Sequence, residues 1–197
     1  MKEDAGVTSD LFRVEYKPTF NFSQAAIGED IVYGSSAPDD GQWGQIAGKS
    51  EVVDMWYDLM ESSGIERVVV LLTEKELWRL GKDIGVSILD RDVEEFGIDN
   101  VLLVPIKDYS YISKGDLINK IIPFLNSSVE NSKKTVVHCH AGMGRTGHVL
   151  SLWLNYGRGF SKSDSVKMIN DPELGTYRVP ILWYSTECES ILYGLMK

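Results

Sequence analysis

The stretch His138-Cys139-His140-Ala141-Gly142-Met143-Gly144-Arg145-Thr146-Gly147 constrains this chain more than any other. A β-branched run, Thr135-Val136-Val137, precedes it, and an amphipathic run from His148 to Tyr156 follows. The order reads strand, tight glycine-bearing loop, helix. Backbone N–H groups in such a loop, and at the helix N-terminus behind it, converge on one spot and attract an anion. His140, Ala141, Gly142, Met143, Gly144 and Arg145 are the residues expected to cradle it. The same field favours the thiolate at the start of the loop, which makes Cys139 a nucleophile near neutral pH. Arg145 returns to that spot with a planar fork suited to two phosphate oxygens. Thr146 is placed to hydrogen-bond the sulfur and steady it as a leaving group. Each part serves one event, attack of sulfur on phosphorus.

The rest of the chain has to present that loop. Arg67-Val68-Val69-Val70-Leu71-Leu72 is a continuous apolar run, as a parallel strand buried on both faces requires. Val101-Leu102-Leu103-Val104-Pro105-Ile106 reads as a second core strand. Between and around them lie helical patterns. Ser50 is expected to cap a helix with apolar positions Val52, Met55, Trp56, Leu59 and Met60, ended by Ser62-Ser63-Gly64. Thr73 starts a short helix from Glu74 to Gly81, and the acidic segment Gly85 to Asn100 holds a helical turn at Val93 to Phe96. Ser113 and Asp116 cap a helix carrying Leu117, Ile118, Ile121 and Leu125, which Pro123 should kink or divide. Ser161 and Asp164 cap another, through Asn170, and Pro180 opens a last helix whose apolar stripe includes Cys188.

The N-terminal section is less regular. Phe12, Val14 and Tyr16 alternate as a short strand would, with Phe20 and Phe22 as its partner, and Ile31-Val32-Tyr33 reads as a strand closed by Gly34. Alternating strands and helices imply an α/β fold, a parallel-rich central sheet with helices on both faces. Ligands of such sheets bind beyond the carboxyl ends of the strands, where both Cys139 and Asp108 fall.

Asp108 is the second chemical residue, in Pro105-Ile106-Lys107-Asp108-Tyr109-Ser110. An alkoxide or phenoxide leaves phosphorus slowly unless its oxygen is protonated as the bond breaks, and a positioned carboxylic acid supplies that proton. Asp116 is the competing carboxylate, although its spacing from Ser113 suits a cap.

Cys139-x5-Arg145-Thr146, preceded by His138, resembles the signature loop of the cysteine-dependent protein tyrosine phosphatases, in their dual-specificity branch. The resemblance spans roughly Arg67 to Tyr156. It implies a phosphatase acting through a phosphocysteine intermediate, with Cys139 as nucleophile, Arg145 as clamp and Asp108 as general acid and then base. It implies that His138 shapes the loop and that His140 and Met143 face the pocket mouth. No metal or other cofactor is expected. Phosphotyrosine on a protein or peptide is the expected substrate, with phosphoserine and phosphothreonine as further candidates. Alternatives are an inositol-phosphate, phosphoinositide or RNA 5′-phosphatase of the same fold, or a phosphate-binding pseudophosphatase. Lipid-directed relatives carry lysines in this loop, and none stands here. One role is unfilled, because Tyr177 to Glu187 offers no Gln or Asn to position the hydrolytic water.

Charge and cysteine usage bound the setting. The 197 residues are expected to form one domain, 1–197. A net charge of −9 repels nucleic acid and anionic membranes at long range, so neither is an expected partner. The chain has no apolar run of membrane-spanning length, and Met1-Lys2-Glu3-Asp4 is too polar to open a signal peptide. The two cysteines, one of them needed as a free thiol, point to a reducing, cytoplasmic location, and no Cys139–Cys188 bridge is expected.

Overall fold

A computed structural model describes residues 19–38 and 49–178. Its centre is a five-stranded sheet of β1 (Ser23–Gln24), β2 (Val32–Ser36), β3 (Arg67–Val70), β4 (Val101–Leu103) and β5 (Thr135–Cys139), in the order β1-β2-β5-β3-β4. β1 runs antiparallel to β2, and every other pairing is parallel. The α/β expectation holds. β5 lies in the middle, so Cys139 emerges opposite Ser36 of β2, while Val70 of β3 pairs with His138.

Period-two alternation along the central strands divides the core. Val68, Val70 and Val136 belong to a cluster with Trp56, Tyr57, Met60 and Ile88. Those residues come from α1 (Lys49–Ser62) and α3 (Ile88–Phe96). Val69, Leu71 and Val137 face the other way, into a cluster with Leu117, Ile121, Leu125, Val149 and Trp153. Burial of both faces explains why the segment containing β3 reads as an unbroken apolar run. Among the described residues β4 pairs only with β3, so the second core strand expected over Val101 to Ile106 is a half-buried edge strand of three residues, with Pro105 and Ile106 past its end. No helix of the described residues is long and apolar enough to cross a membrane.

Several boundaries differ from the sequence reading. Phe20 lies in a turn with φ +50°, not in a strand, and the pairing segment is Ser23–Gln24. Gly34 does not close its strand, which continues to Ser36 because Ser35 and Ser36 pair with His138 and Cys139; the glycine is there because a side chain would strike Leu150 and Arg178 at under 3 Å. Ser50 lies inside α1 rather than at its cap. α2 spans Glu74–Ile84, one turn longer than the spacing suggested, and stops where Gly85 turns left-handed at φ +77°. The ambiguous acidic segment folds as a full helix, α3, capped by Ser87.

Pro123 is accommodated without a break. α4 (Lys114–Asp116) passes into a π turn, Leu117–Ile121, and then α5 (Ile122–Glu130). The Ile122 amide donates five residues back, to Leu117. The wider turn absorbs a residue that lacks an amide and whose ring crowds an α-helical carbonyl. The extra residue also turns Ile118 to solvent, away from the stripe expected for it. α6 (Gly144–Leu152) likewise continues as a π turn, Trp153–Gly157, before α7 (Lys162–Met168). The strand expected at Phe12 to Tyr16 and the helix opened by Pro180, with Cys188, lie outside the described residues.

One buried acid joins α1 to α3. Asp92 is fully buried, accepts a hydrogen bond from Tyr57 Oη at 2.9 Å, and has a second oxygen without a partner among the described residues. Burial pushes its carboxyl up to about 7, and the Tyr57 bond offsets only part of that. The folded chain therefore holds this proton more tightly than the unfolded chain, whose value is near 3.8. The penalty is absent below about pH 4, grows up to about pH 7, and is in full force above it. Asp92→Asn should raise the melting temperature by several degrees at pH 8 and scarcely change it at pH 4. Equal gains at both pH values would show that the buried charge is not the cause.

Candidate active site

The loop after β5 is held from outside by its carbonyls. His140 O accepts from Ala37 N at 3.0 Å, and Gly142 O accepts from Asn21 Nδ2 at 3.0 Å and Arg178 Nη1 at 2.6 Å. Gly142 has φ +69°, and a Cβ there would lie 2.6 Å from the Ser35 and Ser36 backbone, so only glycine fits. Ser35 is fixed in turn by Trp56, whose Nε1 donates to Ser35 Oγ at 2.9 Å. Carbonyls held back in this way are what a loop needs if its amides are to face an anion.

Cys139 lies at the floor of a cavity of about 700 Å³, 3% exposed. Asp108, His140, Ala141, Met143, Gly144 and Arg145 line the same cavity, and Tyr109, Tyr111 and Tyr177 form its aromatic walls. His140 and Met143, which the resemblance puts at the pocket mouth, are among these lining residues. Gly142 is absent from the lining, because it faces Ser35 instead.

Arg145 is almost fully buried and its donors are divided. Nη1 and Nη2 grip the two carboxylate oxygens of Glu76 at 3.0 and 2.9 Å, and Nη1 also donates to Ile106 O at 3.0 Å. A guanidinium has five N–H groups, so the edge formed by Nε and the remaining Nη2 proton stays open. Asp108 stands at that edge, its Oδ1 3.6 Å from Nε, with a side chain still 60% exposed. Burial opposes the charge on Glu76, but hydrogen bonds from Arg145 and Thr73 outweigh it and hold the carboxyl down at about 2.

His138 lies beneath the loop, fully buried, with the Trp56 ring edge-on at 5.6 Å. Burial, with the Arg145 charge beside it, lowers its imidazole to about 4, so it is neutral. That suits a loop-shaping role. Thr146 departs from expectation. Its hydroxyl is buried and makes no hydrogen bond among the described residues, to the sulfur or to anything else. Asp116 completes the cap that Ser113 forms: its N–H donates to Ser113 Oγ at 3.0 Å, and its carboxylate accepts from Ser113 Oγ at 2.8 Å and pairs with Lys120 Nζ at 2.7 Å.

Glu76, Asn21, Tyr177 and Arg178 were not legible as site residues. Glu76 completes a capping box with Thr73, and that local reading hides its second role. Asn21 and Arg178 reach the loop only through the tertiary fold, 121 and 36 residues away from Gly142.

The comparisons agree with this geometry. The family described as Tc-R-P, polymorphic toxin system, DSP-PTPase phosphatase, matches residues 44–158, more than half of the chain. Mouse laforin is 26% identical over 106 residues, 54% of this chain and 28% of laforin. An uncharacterised Methanocaldococcus jannaschii protein, MJECL20, is 42% identical over 52 residues, 26% of this chain and 35% of that protein. The chain thus aligns to about a third of the length of these curated relatives. Among solved structures, Tk-PTP in its active form shares 23% identity, with a TM-score of 0.54 over 84% of this chain and 90% of that one. A kinase-associated phosphatase with its catalytic cysteine changed to serine shares 19%, with a TM-score of 0.63 over 80% and 86%. PTPMT1 in complex with PI(5)P shares 14%, with a TM-score of 0.59 over 88% and 98%. At these identities the structures establish the fold.

Glu76→Ala should lower the unfolding free energy by about 3 kcal/mol, because it strands a buried guanidinium. Urea unfolding measures this, and a loss below about 0.5 kcal/mol, the range of neutral surface changes, would mean that Arg145 does not depend on Glu76.

Proposed function

The chain belongs to the polymorphic toxin system DSP-PTPase phosphatase family, and from that membership we propose that it is a single-domain phosphatase hydrolysing phosphotyrosine on proteins or peptides. The observation that carries this reading is the joint presence of Cys139, Arg145 and Asp108 on one cavity. Cys139 attacks phosphorus while the loop amides and the open edge of Arg145 hold the equatorial oxygens. Asp108, at the cavity mouth, gives its proton to the leaving oxygen. It then takes one from the water that attacks the phosphocysteine, and free phosphate leaves with the thiolate restored. Cys139 must stay reduced for this, which suits a reducing, cytoplasmic compartment.

The walls support an aryl ester. Tyr109, Tyr111, Tyr177 and Met143 present rings and a thioether to a flat group held above the phosphate, and Arg145 is the sole lysine or arginine among the lining residues. Among the described lining residues a multiply phosphorylated inositol would meet no second lysine or arginine side chain. Phosphoserine and phosphothreonine are shorter and would leave the aromatic walls unused.

Three experiments test the reading. Cys139→Ser should abolish turnover while inorganic phosphate still binds, since the loop and Arg145 do not need the sulfur. Turnover near wild type would overturn the mechanism. Asp108→Asn should cost little with an aryl phosphate whose phenol is acidic, and up to about 10²–10⁴-fold with phosphotyrosine. A loss equal for all leaving groups would make Asp108 a loop residue instead. A panel of phosphopeptides and phosphoinositides, assayed with EDTA, decides the substrate class.

A further inference from the structure

Arg178 is the least explained charge in the molecule. Its side chain is 1% exposed, and no carboxylate pairs with it among the described residues. Its partners are neutral oxygens instead. Nη1 donates to Gly142 O at 2.6 Å, and Nη2 donates to Asn21 O and Gly34 O, both at 2.9 Å, and to Ser23 Oγ at 3.3 Å. Nε has no partner. A guanidinium buried without a counter-charge is costly, and such a group persists where an anion answers it.

We propose that Arg178 is a second cation of the phosphate site, a positioning residue that acts from beneath the loop. It holds the Gly142 carbonyl out of the pocket and sets its charge toward the Cys139 thiolate and the bound phosphoryl group. This rests on the reading of Cys139 as the nucleophile.

Three observations converge on the role. Gly142 lies inside the signature loop, so the shortest bond Arg178 makes is to the element that must cradle the anion. The space is built for this side chain, since a Cβ on Gly34 would sit 2.8 Å from the guanidinium carbon. Burial pulls the Arg178 guanidinium down to about 10, and the charge of Cys139 is the influence that works against it. A single planar fork reaching three carbonyls is a task for arginine, because lysine offers a point charge on a flexible stem. The same segment carries Tyr177, whose backbone N–H and C=O are both bracketed by Asn21, at 2.9 and 3.0 Å. The buried cation and the rim aromatic thus arrive on one strap.

The test reads the thiolate directly. Iodoacetamide alkylates Cys139 at a rate set by the thiolate fraction, without any need for turnover. At pH 6, Arg178→Gln should slow that alkylation about tenfold, the effect of losing one close opposite charge. Protection of Cys139 by inorganic phosphate should weaken in the same variant. Arg178→Lys keeps the charge but loses the fork. It should alkylate near the wild-type rate, while phosphate protects it less well. Tyr177→Ala, which leaves the cation in place, should alter KM for phosphotyrosine and not the alkylation rate. An Arg178→Gln chain that melts as a folded protein yet alkylates like wild type overturns the proposal. If Arg178→Gln does not fold, Arg178→Lys decides, and a tenfold slower alkylation there shows that the charge is not the lever. A wild-type Cys139 no more reactive at pH 6 than free cysteine would instead sink the phosphatase reading itself.

Discussion

A loop that turns its amides toward one point must find other partners for its carbonyls, and most of this structure follows from that requirement. Ala37 takes the carbonyl of His140, while Asn21 and Arg178 share that of Gly142. Those partners sit on segments brought alongside β5 by its central place in the sheet. The parallel pairing of β2 with β5 delivers Ser35 and Ser36 under Gly142, close enough to exclude any Cβ. An anion site of this kind is a property of sheet order as much as of the ten residues that form its rim.

Arg145 shows the same economy in its donors. One edge of the guanidinium is spent on Glu76 and Ile106, which fix its plane, and the other stays open beside Asp108. Glu76 itself is fixed by Thr73, from both the amide and the hydroxyl. The first turn of α2 thus orients the clamp, and the capping box that starts a helix also aims a side chain 69 residues further along the chain. In the proposed phosphatase reaction pre-orientation matters, because a fork free to rotate would lose much of its advantage when charge develops on phosphorus.

The sequence disclosed the parts whose chemistry is local. The apolar runs at Val68–Val70 and Val136–Val137, the Cys139–Arg145 spacing and the Ser113 and Ser161 caps each declare themselves within a few residues, and the structure places them accordingly. What escaped has a non-local cause. Glu76 looked like a cap because it is one, and nothing nearby reveals its second bond. Asp92 sat in an acidic segment with weak periodicity, so neither α3 nor the buried carboxyl on it stood out. Gly34 and Ser50 carried local stop and start signals that tertiary packing overrode. The π turn before Pro123 falls between the kink and the break that proline rules anticipate.

The clamp on Gly142 joins positions far apart in the chain. Arg178 reaches Gly34 across 144 residues, and Asn21 brackets Tyr177 across 156. Synthesis proceeds from the N-terminus, and contacts of such separation form only when both ends are available. A nascent chain therefore carries the whole Cys139–Arg145 motif for some time before Arg178, the last of the residues that brace it, exists outside the ribosome. The loop is among the last features to be completed, so an interrupted product ending before Thr176 would keep Asn21 and Ala37 against the signature yet lack Arg178 beneath it.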